Sequence, residues 1–227
     1  MTTEHNHIFK RFDKDLEKLC GQVELMGSEV TKQIKLLNEK LTSDQTKDFD
    51  DVVENDMSIN ALENKANKTV MRLLARRAPM GKDLRVIIGM SRMINDLERI
   101  GDELVIMAKT LAESEELPDC QTGDDNITLT EMLAMAVNLL ERALLAAHNE
   151  DLETAQEMLE KGLNHQSSYK RRLDEMIDCI KNSTTQNNFQ AALQSHSLNR
   201  VCDHICNICE HTVFIISGED INHQDEL

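Results

Sequence analysis

The sequence contains very few aromatic residues. Its 227 residues include no Trp, one Tyr and five Phe, so aromatic side chains make up 3% of the chain, whereas apolar residues make up 40%. Leu, Ile, Val, Met and Ala must therefore fill the interior, and such a composition is typical of a helical bundle. The length corresponds to one large domain or two small ones.

Basic residues are also scarce. The chain has 25 Lys and Arg residues against 41 Asp and Glu residues, which gives a formal charge of −16. A chain this acidic is repelled by the phosphates of DNA and RNA. We therefore expect no direct binding to nucleic acid.

Long apolar segments are absent. No run of about 18 apolar residues occurs anywhere, and the N-terminal stretch MTTEHNHIFKRFDKDLEK lacks the apolar core of a signal peptide. We therefore expect a cytosolic protein. Its six cysteines are expected to be reduced thiols, because disulfides are rare in that compartment.

In the first half of the chain, apolar residues recur every three or four positions. This spacing predicts one long helix over residues 9–41, a second over 44–73 and a third over 87–111. Pro79 and Gly81 lie between the last two segments and predict a tight turn there.

The second half repeats this plan. Pro118 lies in a polar stretch, after which helices are predicted near 128–148, 151–181 and 187–217, and the segment KNSTTQNN forms the second hairpin turn. LERIGDELVIMAKTLAE in the first half also aligns without a gap with LNRVCDHICNICEHTVF in the second.

We therefore predict an all-α fold of six long helices, arranged as two tandem antiparallel three-helix bundles. The predicted boundaries are a first repeat over 1–115, a linker over 116–127, a second repeat over 128–218 and a polar tail over 219–227.

Like charges are concentrated at one place in the first repeat. In NDLERIGDEL, Glu98 and Asp102 are one helical turn apart, and in ENDMSINALE of the preceding helix Asp56, Asn60 and Glu63 occupy the matching flank. Because the two helices are antiparallel about a turn near residue 80, Asp56 is expected level with Asp102, and Glu63 level with Glu98.

Two interpretations of these acidic flanks are open. Oxygen ligands of this kind suit Mg²⁺, Ca²⁺ or Mn²⁺, and carboxylate-rich helices also bind iron clusters. Alternatively, the acids form a solvated surface whose charge is offset by Lys65, Arg92 and Arg99.

Three longer segments resemble the PhoU family of bacterial phosphate-signalling proteins: VVENDMSINALENKANKTVMRLLARRAPMGKDLR, LRVIIGMSRMINDLERIGDEL and NICEHTVFIISGED. The resemblance covers essentially residues 8–227. It implies the duplicated three-helix fold and a regulatory role without catalysis.

The resemblance also implies a function and partners. A PhoU protein is expected to be a cytoplasmic adaptor of the high-affinity phosphate ABC transporter, in contact with its ATPase subunit. When phosphate is abundant, it represses the phosphate-starvation response through a membrane sensor histidine kinase, and so negatively regulates phosphate transport. We expect a homodimer that associates with the membrane only through these partners.

By the same resemblance, Asp56, Asn60, Glu63, Glu98 and Asp102 form metal site one. The metal expected there is a divalent or trivalent ion of Mg, Mn, Fe or Zn.

The second repeat retains fewer of the family's site residues. Only Asp203 and Asn207 remain for a metal site two. Asn199 stands at the position that corresponds to Glu98 of the first repeat, and Gly162 and Gln166 stand where the partner helix would supply acids.

Softer ligands lie near the second site. His165 is expected level with His204, and Cys206 shares the flank of Asp203, so a nitrogen and sulfur site is an alternative. Cys202 and Cys209 fall on the apolar seam and are expected to be small buried residues.

A cluster of basic residues lies at the first hairpin tip, in contrast to the acidic chain. We expect Arg76, Arg77, Lys82 and Arg85 to contact an anionic partner, although cations at a helix C-terminus also offset the helix dipole.

Two functions other than the adaptor role are alternatives. A carboxylate-bridged metal enzyme or metal store usually has Glu-x-x-His on paired helices, which the predicted helices lack. Regulation of a different phosphate carrier, or a role in persistence or metal homeostasis, is compatible with the same fold.

Overall fold

The described part of the chain forms six long α-helices. The computed structural model describes residues 2–43, 48–113, 128–182 and 186–219, and these contain helices and no strand. The helices are α1 (Thr2–Thr42), α2 (Asp50–Arg77), α3 (Lys82–Glu113), α4 (Leu129–His148), α5 (Leu152–Asn182) and α6 (Gln186–Ser217).

The apolar residues at this three- and four-residue spacing form the core of the bundle. On α3 the predicted seam is buried at seven of its eight positions, with only Met90 partly exposed; the eight are Ile87, Met90, Ile94, Leu97, Gly101, Leu104, Ala108 and Leu111. The corresponding buried residues of α1 are Leu19, Val23, Met26, Val30, Ile34 and Leu37. Burial of apolar area at these positions stabilises the helices, which local propensity alone would leave marginal.

The first hairpin turn is short. Ala78 ends α2 in the left-handed conformation with φ of 45°, and Gly81 has φ of 57° just before α3. Glycine adopts that conformation at little cost, and Pro79 prevents α2 from continuing.

The observed start of α2 differs from the predicted one. α2 begins at Asp50, later than the predicted start at Asp44, which itself lies outside the described residues. The linker, the centre of the second hairpin turn and most of the polar tail also lie outside the described residues.

Helix α4 begins with a capping box. Thr128 accepts a hydrogen bond from the backbone nitrogen of Glu131 at 3.2 Å, and the Glu131 carboxylate accepts one from the backbone nitrogen of Thr128 at 2.7 Å. These bonds satisfy backbone donors that the first turn of a helix leaves unpaired.

The two three-helix bundles pack against each other through α3 with α6 and through α1 with α4. Both junctions include a glycine at a close approach: a Cβ on Gly27 would lie 2.5 Å from Leu144 Cδ1, and one on Gly89 would meet Ile215. One continuous apolar cluster spans both repeats.

The all-α prediction with two tandem bundles is confirmed. The central helix α3 contacts α2 on one flank and α6 on another. It therefore links Glu98 and Asp102 of site one to the second repeat. None of the helices in the described part of the chain is long and apolar enough to cross a membrane.

Candidate functional site

Site one lies on the facing flanks of α2 and α3 and has the predicted members Asp56, Asn60, Glu63, Glu98 and Asp102. All five side chains are partly exposed, whereas Gly101 beside them is buried. Asp56 Oδ1 would lie 2.9 Å from a Cβ built on Gly101. Asp56 is therefore level with Asp102, as the position of the hairpin turn predicts.

The pKa values of Asp56 and Glu98 are raised, so their charged forms are destabilised. Burial, followed by the negative charge of Asp102, raises the pKa of Asp56. The same two causes raise the pKa of Glu98, and the charge of Glu63 adds to them. Neighbouring hydrogen bonds and the charge of Lys109 oppose the rise at Asp56, so the negative charge of the cluster is compensated only in part.

The basic residues proposed to offset this charge do so only in part. Arg99 Nε is 3.5 Å from Glu98 Oε2, and Arg99 Nη1 is 3.4 Å from Asp102 Oδ2. The Arg99 side chain is 59% exposed, and exposed ion pairs stabilise weakly. The Arg92 guanidinium lies 5.2 Å from the centre of the Phe214 ring, at the junction with α6.

Helix α1 adds a residue that the sequence did not predict. Gln33 is fully buried, and its Nε2 donates a hydrogen bond to the carbonyl oxygen of Val52 at 3.0 Å. Asp56 Oδ2 accepts a bond from Asn60 Nδ2 at 2.9 Å, and the Gln33 amide is a further hydrogen-bonding neighbour that opposes the rise in the pKa of Asp56.

The chemistry of site one fits a hard cation. Carboxylate and amide oxygens are the ligands that Mg²⁺, Ca²⁺ and Mn²⁺ prefer. Within the described ranges, no three His, Cys, Asp or Glu side chains converge as a metal site does. The acids of site one therefore do not form a coordination shell by themselves in this structure.

Site two is built differently, because neutral amides surround its carboxylate. Gln166 Nε2 donates to Asp203 Oδ1, and Asn199 Nδ2 donates to Asp203 Oδ2 at 3.4 Å. The Gln166 contact agrees with a hairpin turn centred near residue 184. The other predicted member, Asn207, donates its Nδ2 to Asp96 Oδ1 at 3.0 Å.

His165 and His204, the histidines of the alternative nitrogen and sulfur site, have separate partners. The His165 ring stacks on Tyr169 with centroids 6.3 Å apart. His204 Nδ1 lies 2.8 Å from Asp96 Oδ1, and therefore faces α3. The nitrogen and sulfur site stays a prediction that these contacts do not favour.

The seam cysteines are buried thiols, as predicted. Cys202 is 2% exposed and Cys209 is fully buried. A hydrogen bond with Cys206, followed by burial, raises the pKa of Cys202, and burial raises the pKa of Cys209. High thiol pKa values make these residues poor nucleophiles and poor metal ligands at neutral pH.

A buried polar cluster joins the two repeats and was not predicted. Asp96 of α3 is 8% exposed, and its carboxylate accepts bonds from His204, Asn207 and His211, the last through Nε2 at 2.9 Å. Burial alone would raise the pKa of Asp96, but these hydrogen bonds outweigh burial and hold the pKa at about 2.

A second polar contact joins α3 to α6 one heptad further along α3. Arg200 Nε donates to Glu103 Oε1 at 2.6 Å, and the Glu103 side chain is 12% exposed. The two contacts fix the antiparallel register of α3 and α6. They hold the helix that carries Glu98 and Asp102 against the second repeat.

The basic hairpin tip is partly engaged within the chain. Lys82 Nζ lies 2.9 Å from Glu150 Oε2, and Arg85 Nε donates to the carbonyl oxygen of Ile215 at 3.0 Å, in the last turn of α6. Arg76 is exposed, and the Arg77 side chain lies outside the described residues. The partner contact predicted for these four residues stays a prediction.

A family model described as the PhoU domain matches the chain twice, over residues 23–111 and 129–212. The chain belongs to the PhoU family. The two matched segments coincide with the two three-helix repeats. PhoU proteins are regulatory accessory proteins, not enzymes.

Relatives with PhoU names extend over nearly the whole chain. The phosphate-specific transport system accessory protein PhoU homolog of Xylella fastidiosa strain 9a5c is 30% identical over 97% of this chain and 93% of its own. The phosphate-specific transport system accessory protein PhoU of Escherichia coli K12 is 26% identical over 98% of this chain and 93% of its own.

The fold likewise matches a solved PhoU structure. The crystal structure of PhoU from Pseudomonas aeruginosa superimposes with a TM-score of 0.81 at 27% identity, covering 92% of this chain and all of that one. The arrangement of both repeats is therefore shared.

Proposed function

We propose that this PhoU-family chain is a regulatory accessory protein of a phosphate-specific transport system. One observation carries the proposal: both three-helix repeats match the PhoU domain, and relatives that align with almost the whole chain are accessory proteins of that system. The match includes the hairpin turns and the α3–α6 junction, so it is not confined to one motif.

In more detail, the proposed protein is a cytoplasmic adaptor that contacts the transporter ATPase subunit and a sensor histidine kinase. It keeps the phosphate-starvation response repressed while phosphate is abundant. Two three-helix bundles with long helical faces support this role, because a protein that bridges two partners needs separate, extended surfaces. A homodimer would double these surfaces.

The exposed basic residue at the hairpin tip offers a test of partner contact. Arg76→Glu is expected to weaken binding of the purified chain to the detergent-solubilised transporter, because the charge reversal repels an acidic partner surface. Lys68→Glu is a matched control, since Lys68 is an exposed cation two turns earlier on α2. Equal binding by both variants would contradict a partner contact at the tip.

We also propose that site one binds a hard divalent cation. The incompletely compensated charge of Asp56 and Glu98 supports this proposal, since a cation would offset the repulsion that Asp102 exerts on both. Asp56, Asn60, Glu63, Glu98 and Asp102 would supply its oxygen ligands. A cation there could stabilise the hairpin or bridge to an acidic partner.

Elemental analysis tests this site. Replacing Glu98 and Asp102 together by Ala is expected to abolish bound metal while leaving helical content near that of the unchanged chain. Asp203→Ala should change metal content less, because amides already satisfy Asp203. Metal retained in the double variant would contradict the assignment of site one.

A binding measurement with the transporter tests the adaptor role. The purified chain is expected to bind the solubilised phosphate transporter, and an unrelated ABC transporter is the control. Binding to neither transporter, under conditions in which the chain is folded by circular dichroism, would contradict the proposal.

A further inference from the structure

A cavity of about 610 Å³ lies at the junction of the two repeats, with walls from α1, α3, α4 and the end of α6. The apolar side chains of its walls include Val23, Val86, Met90, Met93, Leu144 and Ile215. Sites for small molecules are concave, mostly apolar and roughly 300 to 1,000 Å³ in volume. The cavity therefore has the size and the lining of a small-molecule site.

The α1 wall of the cavity is open at a glycine. Gly21 borders the cavity, and a Cβ built on it would meet no heavy atom within 4 Å. At the next residue the helices touch, because Cys20 Sγ lies 3.9 Å from Met90 Sδ of α3. The absence of a side chain at Gly21 therefore leaves space between two helices that are otherwise in contact.

The rim of the cavity is acidic. Four acidic and two basic residues border the cavity: Glu17, Glu24, Asp83, Glu150, Lys82 and His148. Lys82 Nζ lies 2.9 Å from Glu150 Oε2, and His148 Nδ1 lies 2.6 Å from Glu24 Oε1. These two pairs connect the repeats at the cavity and leave the exposed carboxylates of Glu17 and Asp83 in excess.

The negative charge of the rim acts on the cavity wall. Burial, followed by the negative charge of Glu24, raises the pKa of Cys20, and the charges of Glu17 and Glu150 act in the same direction. A backbone hydrogen bond opposes this rise only in part. Negative charge is therefore disfavoured at the wall, whereas the positively charged group of a ligand would be attracted there.

We propose that this cavity binds a small amphipathic cation, with an apolar body among the side chains of the wall and an ammonium group attracted by Glu17 and Asp83. A partner helix is a poorer occupant. An α-helix with its side chains is about 10 Å wide, so this volume holds fewer than two of its turns. Because both repeats form the walls, the bound molecule would stabilise their junction, by an amount that grows with its free concentration.

Two probes with the same alkyl tail and opposite charge test the preference for a cation. Octylammonium and nonanoate are titrated into the full chain by isothermal titration calorimetry, below the concentrations at which they form micelles. Octylammonium should bind at one site per chain, and nonanoate should bind at least about tenfold more weakly, because like charges repel it from the rim. The absence of octylammonium binding, or nonanoate binding of equal or higher affinity, would overturn the proposal.

Gly21→Leu places a side chain in the open part of the wall and should weaken octylammonium binding at least about tenfold. The variant should fold, because the added Cβ meets no atom and leucine favours a helix more than glycine does. Ser28→Leu is the matched control, since Ser28 is an exposed residue of α1 two turns further on and lies outside the lining. Unchanged or tighter binding in Gly21→Leu, or an equal loss in Ser28→Leu, would contradict binding in this cavity.

A pair of substitutions tests the acidic rim. Glu17→Gln together with Asp83→Asn should weaken octylammonium binding at least about fivefold, since each exposed charge contributes modestly. Glu54→Gln together with Glu153→Gln is the control, because it removes two exposed carboxylates elsewhere, one of them also in the first turn of a helix. Equal affinities in the two double variants would overturn the role of the rim. If Gly21→Leu does not fold by circular dichroism, this comparison decides.

Discussion

Replacing Asp96 by Asn should change how the stability of the protein depends on pH. Hydrogen bonds from His204, His211 and Asn207 hold the pKa of Asp96 at about 2, below the 3.8 of an unperturbed Asp. Because the folded-state pKa is depressed, the stabilisation is fully present above about pH 5 and is lost as pH falls toward 2. The lowered pKa corresponds to about 2.5 kcal/mol, of which about 1 kcal/mol should be lost by pH 3.

Urea unfolding at several pH values between 5 and 2.5 measures this effect. The relevant quantity is the free energy of unfolding of the unchanged chain minus that of Asp96→Asn, because the other carboxyl groups titrate in both proteins and largely cancel. This difference should shrink by about 1 kcal/mol between pH 5 and 3. A difference that does not vary with pH would refute the role assigned to the Asp96 carboxylate.

Three further substitutions have definite expected results. Thr128→Ala removes the capping box of α4 and should lower the free energy of unfolding in urea by about 1 kcal/mol; an unchanged midpoint would contradict the cap. Tyr169→Phe removes the buried hydroxyl that donates to the Met132 carbonyl oxygen at 3.0 Å and should cost about 1 to 2 kcal/mol in the same assay, whereas no loss would mean that this bond is unimportant. Asp102→Asn relieves repulsion on Asp56, so thermal unfolding should show a metal-free protein stabilised by a few tenths of a kcal/mol while Mn²⁺ affinity falls; lower stability together with unchanged affinity would contradict both parts.

Much of the fold could be predicted from the sequence because the apolar periodicity is long and uninterrupted. The seam of α3 from Ile87 to Leu111 is buried as its three- and four-residue spacing predicts. Pro79 and Gly81 mark the turn through their backbone preferences, and the turn position then fixes which residues of α2 and α3 are level. The start of α2 was less predictable, since no strong cap precedes Asp50.

The contact between the repeats was missed because α3 has a second seam that contains polar residues. Gly89, Met93, Asp96, Ile100, Glu103, Met107 and Thr110 follow the same heptad spacing and are all buried. Acidic side chains on this seam appear solvent-facing in the sequence, yet their partners are on α6, more than 90 residues away. Only tertiary structure pairs Asp96 with His204 and Glu103 with Arg200.

Gln33 at the candidate site was missed for the same reason, because it is a polar residue on a buried seam. It continues the buried series Met26 and Val30 toward Leu37 at helical spacing, and a polar residue within such a series is a signal that could have identified it. The sequence does not show which atoms of α2 and α3 the amide faces. The acids of site one were predictable because they share one flank and one hairpin.

A phosphate-starvation reporter tests the central claim most directly. The reporter is measured in abundant phosphate in a strain that lacks the gene for this chain, with and without the restored intact gene. A restraining regulator predicts constitutive reporter expression in the deletion strain and silence once the gene is restored. A reporter that stays silent in the deletion strain would contradict the proposed regulation of the phosphate-starvation response.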